Sequence, residues 1–438
     1  MMDRSYSDSL TPEMEGTTVT IAGWVHEIRG LGKLRFLLIR DGRGIVQVTL
    51  PKKFVPEEAF AASKEVSKES VVRVRGKVQR EDRAPKGIEI LPEEIEIISL
   101  AVTPLPLDPT GKVDANLDTR LDHRVIDLRR ANVAAIFKAR TTALRAGREY
   151  LESQGFSAIK TPRIISTASE GGTELFPLAY FDREAFLAQS PQLYKQMMMG
   201  TGLDRVYELA TYFRAEEHDT VSHLNEVSAI DCEMSFIDSE SEVMDIVEGL
   251  TLSMIEGVRK NCQPQLEVLG IEIDEPKTPF PRLEYIDVID MLLSEENLRV
   301  PFGEDLNTEA EKALGRIMER RGHKLYFITK YPLDIKPFYT MPDSTEPTLS
   351  NSFDLEFMGR EIVSGSQRIH NYDLLTERIV AKDMDPDGFG AYLEAFRFGM
   401  PPHGGFGMGI ERFLMLLLNL SNIRETVLFP RDRHRLTP

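Results

Sequence analysis

The sequence predicts an α+β protein in two parts: a small N-terminal β-barrel, then one mixed domain of more than 300 residues. Three observations carry this. Residues 17–100 alternate apolar and polar in short runs separated by Gly-containing turns. Residues 102–119 carry prolines at 104, 106 and 109 and read as an extended linker. From Val133 the apolar spacing switches to the helical period. The expected boundaries are 1–101 for the barrel, 102–132 for a linker or hinge and 133–438 for the large domain. A length of 438 residues allows two to three domains.

In the first part, Thr18–Val25 alternates, Leu34–Ile39 and Ile45–Leu50 flank a turn at Asp41–Gly44, and Val71–Val78 reads VVRVRGKV. Ile88–Leu91 and Ile95–Leu100 complete the set, with a helical stretch at Pro56–Lys68. About five short strands fit a closed barrel such as an OB-fold, and equally another small barrel or sandwich. In the second part, Val133, Ile136, Phe137, Leu144 and Leu151 share one face of a helix running to about Gln154. Strands and helices then mix to the C-terminus.

Composition narrows the class. Hydrophobic residues make up 42% and charged residues 28%, which supports a large core and argues against global disorder. No run of about 18 apolar residues suggests a membrane helix, and Met1–Leu10 lacks the apolar stretch of a signal peptide. The two cysteines, Cys232 and Cys262, form neither a disulfide framework nor a metal motif, so a reduced, cytoplasmic protein is expected. The net charge of −17 argues against a nucleic-acid binder until it is divided: residues 1–100 hold 16 basic and 16 acidic residues, so all the acidity lies beyond them.

Five constellations could carry chemistry. Phe213-Arg214-Ala215-Glu216 ends one strand-like run, and Val227–Phe236 begins the next, which makes a hairpin with an Arg near its tip. Arg grips phosphate through a planar fork of donors; Arg214 could equally pair with Glu216 or Glu217. Gly404–Gly409 leads through Ile410-Glu411-Arg412 into an apolar helix. Glycines admit close approach of a ligand and a helix start favours an anion, although a plain Gly-rich turn before a core helix reads the same way. Asp354 and Glu356, followed by Glu361 and Ser364, sit on two strand-like runs around Met358-Gly359. Such acids suit Mg²⁺ or simply face solvent. Glu170-Gly171-Gly172-Thr173-Glu174 suggests a mobile loop. Gln192 and Lys195 lie one helical turn apart, and Lys195 with Arg368 would form a cationic pocket for a small carboxylate.

In this order, the pieces resemble a class II (subclass b) aminoacyl-tRNA synthetase of the aspartate, asparagine and lysine subgroup. The helix before Pro162 resembles the first class motif, which builds a homodimer interface. Phe213–Glu216 resembles the second motif and Gly409–Arg412 the third. The barrel is similar to the subgroup's anticodon-binding OB domain. The resemblance implies a class II antiparallel catalytic sheet, ATP and Mg²⁺ as cofactors, and tRNA as partner. Arg214, Glu361 and Arg412 would act directly on the reacting phosphates. Ala215, Glu216, Ser222, His223, Leu224, Gly409, Ile410 and Glu411 would complete the ATP site. Asp354, Glu361 and Ser364 would hold Mg²⁺. Glu170 and Asp231 would take the substrate ammonium. Gln192, Leu193, Tyr194, Lys195, Ser364 and Arg368 would surround the rest of the amino acid. Ser222 departs from the family's usual Arg, and Ile410 from its usual Ala or Leu.

Lys195 resembles the aspartate members, and the short C-terminus resembles the archaeal/eukaryotic type. L-aspartate is therefore the expected substrate. On the barrel, Phe36 and Gln47 match positions that hold the central anticodon uracil shared by tRNA-Asp and tRNA-Asn. Strict archaeal aspartate enzymes are expected to carry Trp and Lys near positions 26 and 85, where this chain has His26 and Pro85. Pro85 has neither a backbone N–H nor a long side chain. These two residues imply aspartylation of both tRNAs, and with it a partner amidotransferase acting on Asp-tRNA-Asn. Alternatives are a strict tRNA-Asp enzyme, an asparagine-type synthetase, or an inactive OB-fold RNA-binding paralogue.

Overall fold

The computed structural model describes residues 4–166, 175–216, 221 and 223–438. The chain divides into two compact units, Met1–Arg130 and Ala131–Pro438. Among the described residues no helix is long and apolar enough to cross a membrane.

The first unit is a closed five-stranded barrel. Its strands are β1 (Thr18–Leu31), β2 (Leu34–Arg40), β3 (Ile45–Pro51), β4 (Val71–Arg80) and β5 (Ile88–Ser99), joined in the order β1-β2-β3-β5-β4. This is the OB-fold domain, and a helix at Glu57–Glu65 packs on its core. Inward alternation of Leu37, Ile39, Val46, Val48, Val72, Val74 and Ile90 fills that core. One expectation is corrected: Ile88–Leu91 and Ile95–Leu100 are not two strands. They are one, whose register shifts where Pro92 faces Gly76. A Cβ at Gly76 would collide with the Leu91 carbonyl, so the glycine admits the irregularity. The proline-rich stretch also ends before Thr119. Asn116 caps a short helix, Leu117–Asp122, by accepting from the Thr119 N–H.

The second unit is built on an eight-stranded sheet. Its strands are β6 (Ser157–Ala158), β10 (Arg205–Phe213), β11 (Glu226–Ser235), β12 (Arg282–Glu284), β13 (Leu325–Thr329), β14 (Ser352–Phe357), β15 (Glu361–Arg368) and β16 (His403–Gly409). A small separate sheet holds β7 (Ile164–Ile165), β8 (Pro177–Tyr180) and β9 (Arg183–Leu187). The large sheet runs β12-β13-β14-β15-β16-β11-β10-β6 and is antiparallel except at its two ends. Helices Ala131–Ser153 and Glu240–Asn261 cover one face and share a core with Ile230, Cys232, Met234, Phe353, Val363, Phe406 and Met408. Alternation turns the intervening residues to the opposite face.

Candidate functional site

That opposite face is unusual for a buried sheet because it is charged. On β11, Asp231 and Glu233 alternate with the apolar Ile230, Cys232 and Met234. On β15, Ser364, Ser366 and Arg368 alternate with Val363. Between these two strands lies β16, with Gly405, Gly407 and Gly409 on this face and Phe406 and Met408 in the core. A Cβ at Gly405 would collide with the Glu233 carboxylate, and one at Gly407 would sit 3.3 Å from Asp231 Oδ1. The glycines expected as a ligand-approach turn are thus a strand, and two of them make room for carboxylates.

The resulting cavity, about 370 Å³, gathers Gln192, Lys195, Asp231, Ser364 and Arg368 at one end. Helix Gln192–Met198 buries both Gln192 and Lys195. Lys195 Nζ lies 2.9 Å from Asp231 Oδ1 and 3.6 Å from Glu233 Oε2, and donates to the Phe406 carbonyl. Arg368 donates through Nε to Glu233 Oε1 at 3.0 Å and through NH1 to Ser366 at 2.7 Å. The expected cationic pocket is therefore corrected to an alternating one, in which two cations meet two carboxylates. Glu233 was missed by the sequence reading, although its position two residues beyond Asp231 on one strand was a usable signal. Asp231 Oδ2 is buried without a hydrogen-bond partner. Burial raises the Asp231 pKa, with Lys195 pulling against it. Below the pair, His403 touches Gln196 and the Pro401 carbonyl, and burial pushes its imidazole down to about 4.

At the other end stand Arg214, Glu216, His223, Leu224, Glu361 and Arg412. The hairpin β10–β11 delivers the first four: Arg214 follows the last β10 residue, and its N–H donates to the Asn225 carbonyl. His223 Nε2 lies 3.5 Å from Glu216. Helix Ile410–Leu417 starts at the end of β16, and Arg412 in its first turn donates to the Glu361 carbonyl at 2.7 Å. Glu411 and Gly409 also line the cavity, but the Glu411 carboxylate is engaged: it accepts from Ser228 N–H and lies 2.9 Å from Arg140. No atom stands near a Cβ built at Gly409, which leaves that strand end open.

Acids on β14 and β15 around Glu361 fit a hard divalent cation. Asp354 and Ser364 are directly opposed on β14 and β15, and Glu356 opposes Glu361. Asp354 Oδ1 is buried with no hydrogen-bond partner. Burial and the Asp354 charge push Glu361 up to about 7, while Arg412 opposes the shift. Two carboxylates and a hydroxyl are the share a protein gives Mg²⁺ when phosphates and waters complete the shell. Among the described residues no group of three His, Cys, Asp or Glu forms a cage by itself. Lys336, also missed, is buried against Asp354 Oδ2 at 2.8 Å; a lysine in a short irregular segment gave no signal.

Other candidates lie elsewhere. Ile410 is buried in the apolar core, Leu193 packs in a second core cluster, and neither lines the cavity. Tyr194 and Asp354 are also absent from its lining, and Ala215 lines a separate cavity of about 560 Å³. Glu170 and Ser222 fall outside the described residues. On the barrel, Phe36 opposes Thr49 and Gln47 opposes Leu38, so Phe36 and Gln47 share the outer face. Gln47 donates to Glu89 at 3.0 Å. His26 is half-buried against Arg40, and Pro85 is exposed at the start of a one-turn 3₁₀ segment.

Residues 116–433 match the family model described as tRNA synthetases class II (D, K and N), and residues 19–98 match that of the OB-fold nucleic acid binding domain. The chain is 54% identical to the "Aspartate--tRNA(Asp) ligase" of Pyrococcus abyssi, over all of both chains. It is also 54% identical to the "Aspartate--tRNA(Asp/Asn) ligase" of Methanothermobacter thermautotrophicus, over 99% of this chain and 98% of that one. Among solved structures it is similar to asparaginyl-tRNA synthetase from Pyrococcus horikoshii complexed with asparaginyl-adenylate, with a TM-score of 0.93, 35% identity and full coverage of both chains.

Proposed function

We propose that this chain, which belongs to the class II tRNA synthetases of the aspartate, lysine and asparagine group, joins L-aspartate to tRNA in two steps. The aspartate α-carboxylate attacks the α-phosphorus of ATP and pyrophosphate leaves. The terminal ribose hydroxyl of the tRNA then attacks the activated carbonyl and AMP leaves. The observation that carries the choice of aspartate is the pair of buried cations, Lys195 and Arg368, at one end of the cavity. Their two donors suit a dicarboxylate, while the unpartnered Asp231 Oδ2 suits its ammonium. Asp231 and Glu233 already partner both cations, so the preference rests on the charge-assisted hydrogen bond a substrate side-chain carboxylate would accept from them, which a neutral amide would accept more weakly.

Arg214 would orient the α-phosphate and take up the charge that develops there, and Arg412 would hold the far end of the polyphosphate. Asp354, Glu361 and Ser364 would hold Mg²⁺, which when bound neutralises phosphate charge. No protein nucleophile is needed. Aspartate-dependent ATP–pyrophosphate exchange tests the reading; exchange driven by asparagine instead of aspartate would overturn it.

On the tRNA side, the relaxed reading has the barrel accept both tRNA-Asp and tRNA-Asn. It is supported by Pro85, which offers no backbone N–H; relatives of both printed names stand at equal identity and favour neither reading. Charging purified tRNA-Asp and tRNA-Asn side by side decides it; acceptance of tRNA-Asp alone returns the strict reading. The product on tRNA-Asn would require a separate enzyme that amidates the attached aspartate. A homodimer joined through helix Ala131–Ser153 completes the proposal, and sedimentation of the full chain tests it.

A further inference from the structure

Strand β1 carries one surplus residue. Val25 opposes Ile39 and Glu27 opposes Leu38, so His26 has no place in the β1–β2 ladder and forms a bulge. A bulge re-aims its side chain, and something must then fix where it points. Glu69 is built to do so. Its side chain is fully buried and its backbone is left-handed, with φ of +66°, a conformation rarely adopted by a residue with a side chain. Its N–H donates to the Val25 carbonyl at 2.7 Å, and Val25 N–H donates to the Ser70 carbonyl, which clamps the bulge from outside the ladder.

The Glu69 carboxylate grips Arg40 at both oxygens, at 3.1 and 2.7 Å, and also accepts from Arg129 at 2.8 Å. Arg40 in turn lies 3.1 Å from His26 Nδ1. A guanidinium only donates, so Nδ1 accepts, and the proton of the neutral ring sits on Nε2. Arg40 and Arg129 also lie within 6 Å of the Trp24 ring, at 5.7 and 5.5 Å. We infer that Glu69 is a positioning residue for tRNA selection: through Arg40 it fixes the ring and tautomer of His26, so that the barrel presents Nε2–H as a donor to an RNA base. The inference rests on the reading above that His26 lies where the barrel inspects its tRNA.

The test uses the full-length enzyme with Glu69→Gln, Arg40→Lys, His26→Ala, and the first and last combined. Each is assayed for aspartate-dependent ATP–pyrophosphate exchange without tRNA, and for the KM of each tRNA. Loss of one positioned hydrogen bond predicts a tRNA KM raised about tenfold in Glu69→Gln, with kcat and exchange unchanged. Arg40→Lys keeps the charge but loses the fork, and predicts the same rise should Glu69→Gln fold poorly. The double variant should match His26→Ala alone, because the effect passes through that ring. Unchanged KM in both Glu69→Gln and Arg40→Lys, or effects that add to those of His26→Ala, overturns the inference. A wild type that charges only tRNA-Asp overturns the relaxed reading instead, and Glu69 is then scored on the tRNA-Asp KM.

Discussion

The barrel and the catalytic sheet bury their polar groups in opposite ways. In the barrel the inward face is apolar throughout, and the residues proposed to meet RNA, Phe36 and Gln47, lie on the outer face. In the sheet one face is the apolar core, while the other carries Asp231, Glu233, Arg368 and Gly405 under cover. The difference teaches that stability and recognition are separable on the barrel's outer face, buried Glu69 excepted, and share residues in the second unit. Substitutions on the barrel's outer face should change one property; substitutions on the sheet's charged face should change both.

The sharpest test is Glu233→Ala. It strands Arg368 as a buried cation, and breaking a buried pair from one side costs roughly 3–5 kcal/mol. Aspartate-dependent exchange should fall by at least about 100-fold and the melting temperature should drop together with it. Retention of either property would break the comparison. Next is Gly405→Ala, whose methyl meets the Glu233 carboxylate and the Cys232 carbonyl. Overpacking at such a site costs about 1–3 kcal/mol, readable by denaturant unfolding, with the aspartate KM raised as Glu233 is displaced.

Acid should separate the units. His403 has its folded pKa at about 4, below its ordinary 6.5. The unfolded chain therefore binds more protons between these values, and this contribution is complete above pH 6.5 and lost as pH falls toward 4. It amounts to about 3 kcal/mol. Glu69 is fully buried; burial alone would raise its pKa, but the Arg40 and Arg129 guanidiniums hold it at about 2 against an ordinary 4.5. Its contribution is complete above pH 4.5 and lost only as pH falls toward 2. The sole tryptophan, Trp24, lies in the barrel. Near pH 4.5 its fluorescence should remain native. In the second unit Glu361, raised to about 7, gains stability as it protonates and offsets the His403 loss. That loss is therefore read as a wild-type stability advantage over His403→Gln that shrinks from pH 6.5 to 4, and an unchanged advantage would remove it. The smallest effect is expected of Phe36→Ala. Loss of one stacking platform, worth about 1–3 kcal/mol of RNA binding, should raise the tRNA KM and leave exchange and melting temperature in place.

Alternation made both units legible from sequence wherever strands were long. The hairpin around Arg214 follows from period-two spacing, whereas Asp354 comes opposite Ser364 only because the β14–β15 register shifts between Leu355 and Glu356. Illegible features were those fixed by residues distant in the chain. Glu233 faces Arg368 across 135 positions, and Lys336 meets Asp354 from an irregular segment that no periodicity marks. The strand character of Gly404–Gly409 was hidden for another reason. Glycine usually weakens a strand, and only the carboxylates opposite explain its presence.

The bulge at His26 has a consequence for how such a protein can change over generations. Because position 26 lies outside the ladder, its side chain can be exchanged without moving the register that keeps Val25 and Ile39 in the core. Under the tRNA reading proposed above, a lineage could therefore drift between narrow and broad tRNA acceptance by altering one or two codons, with the barrel unaware of the change.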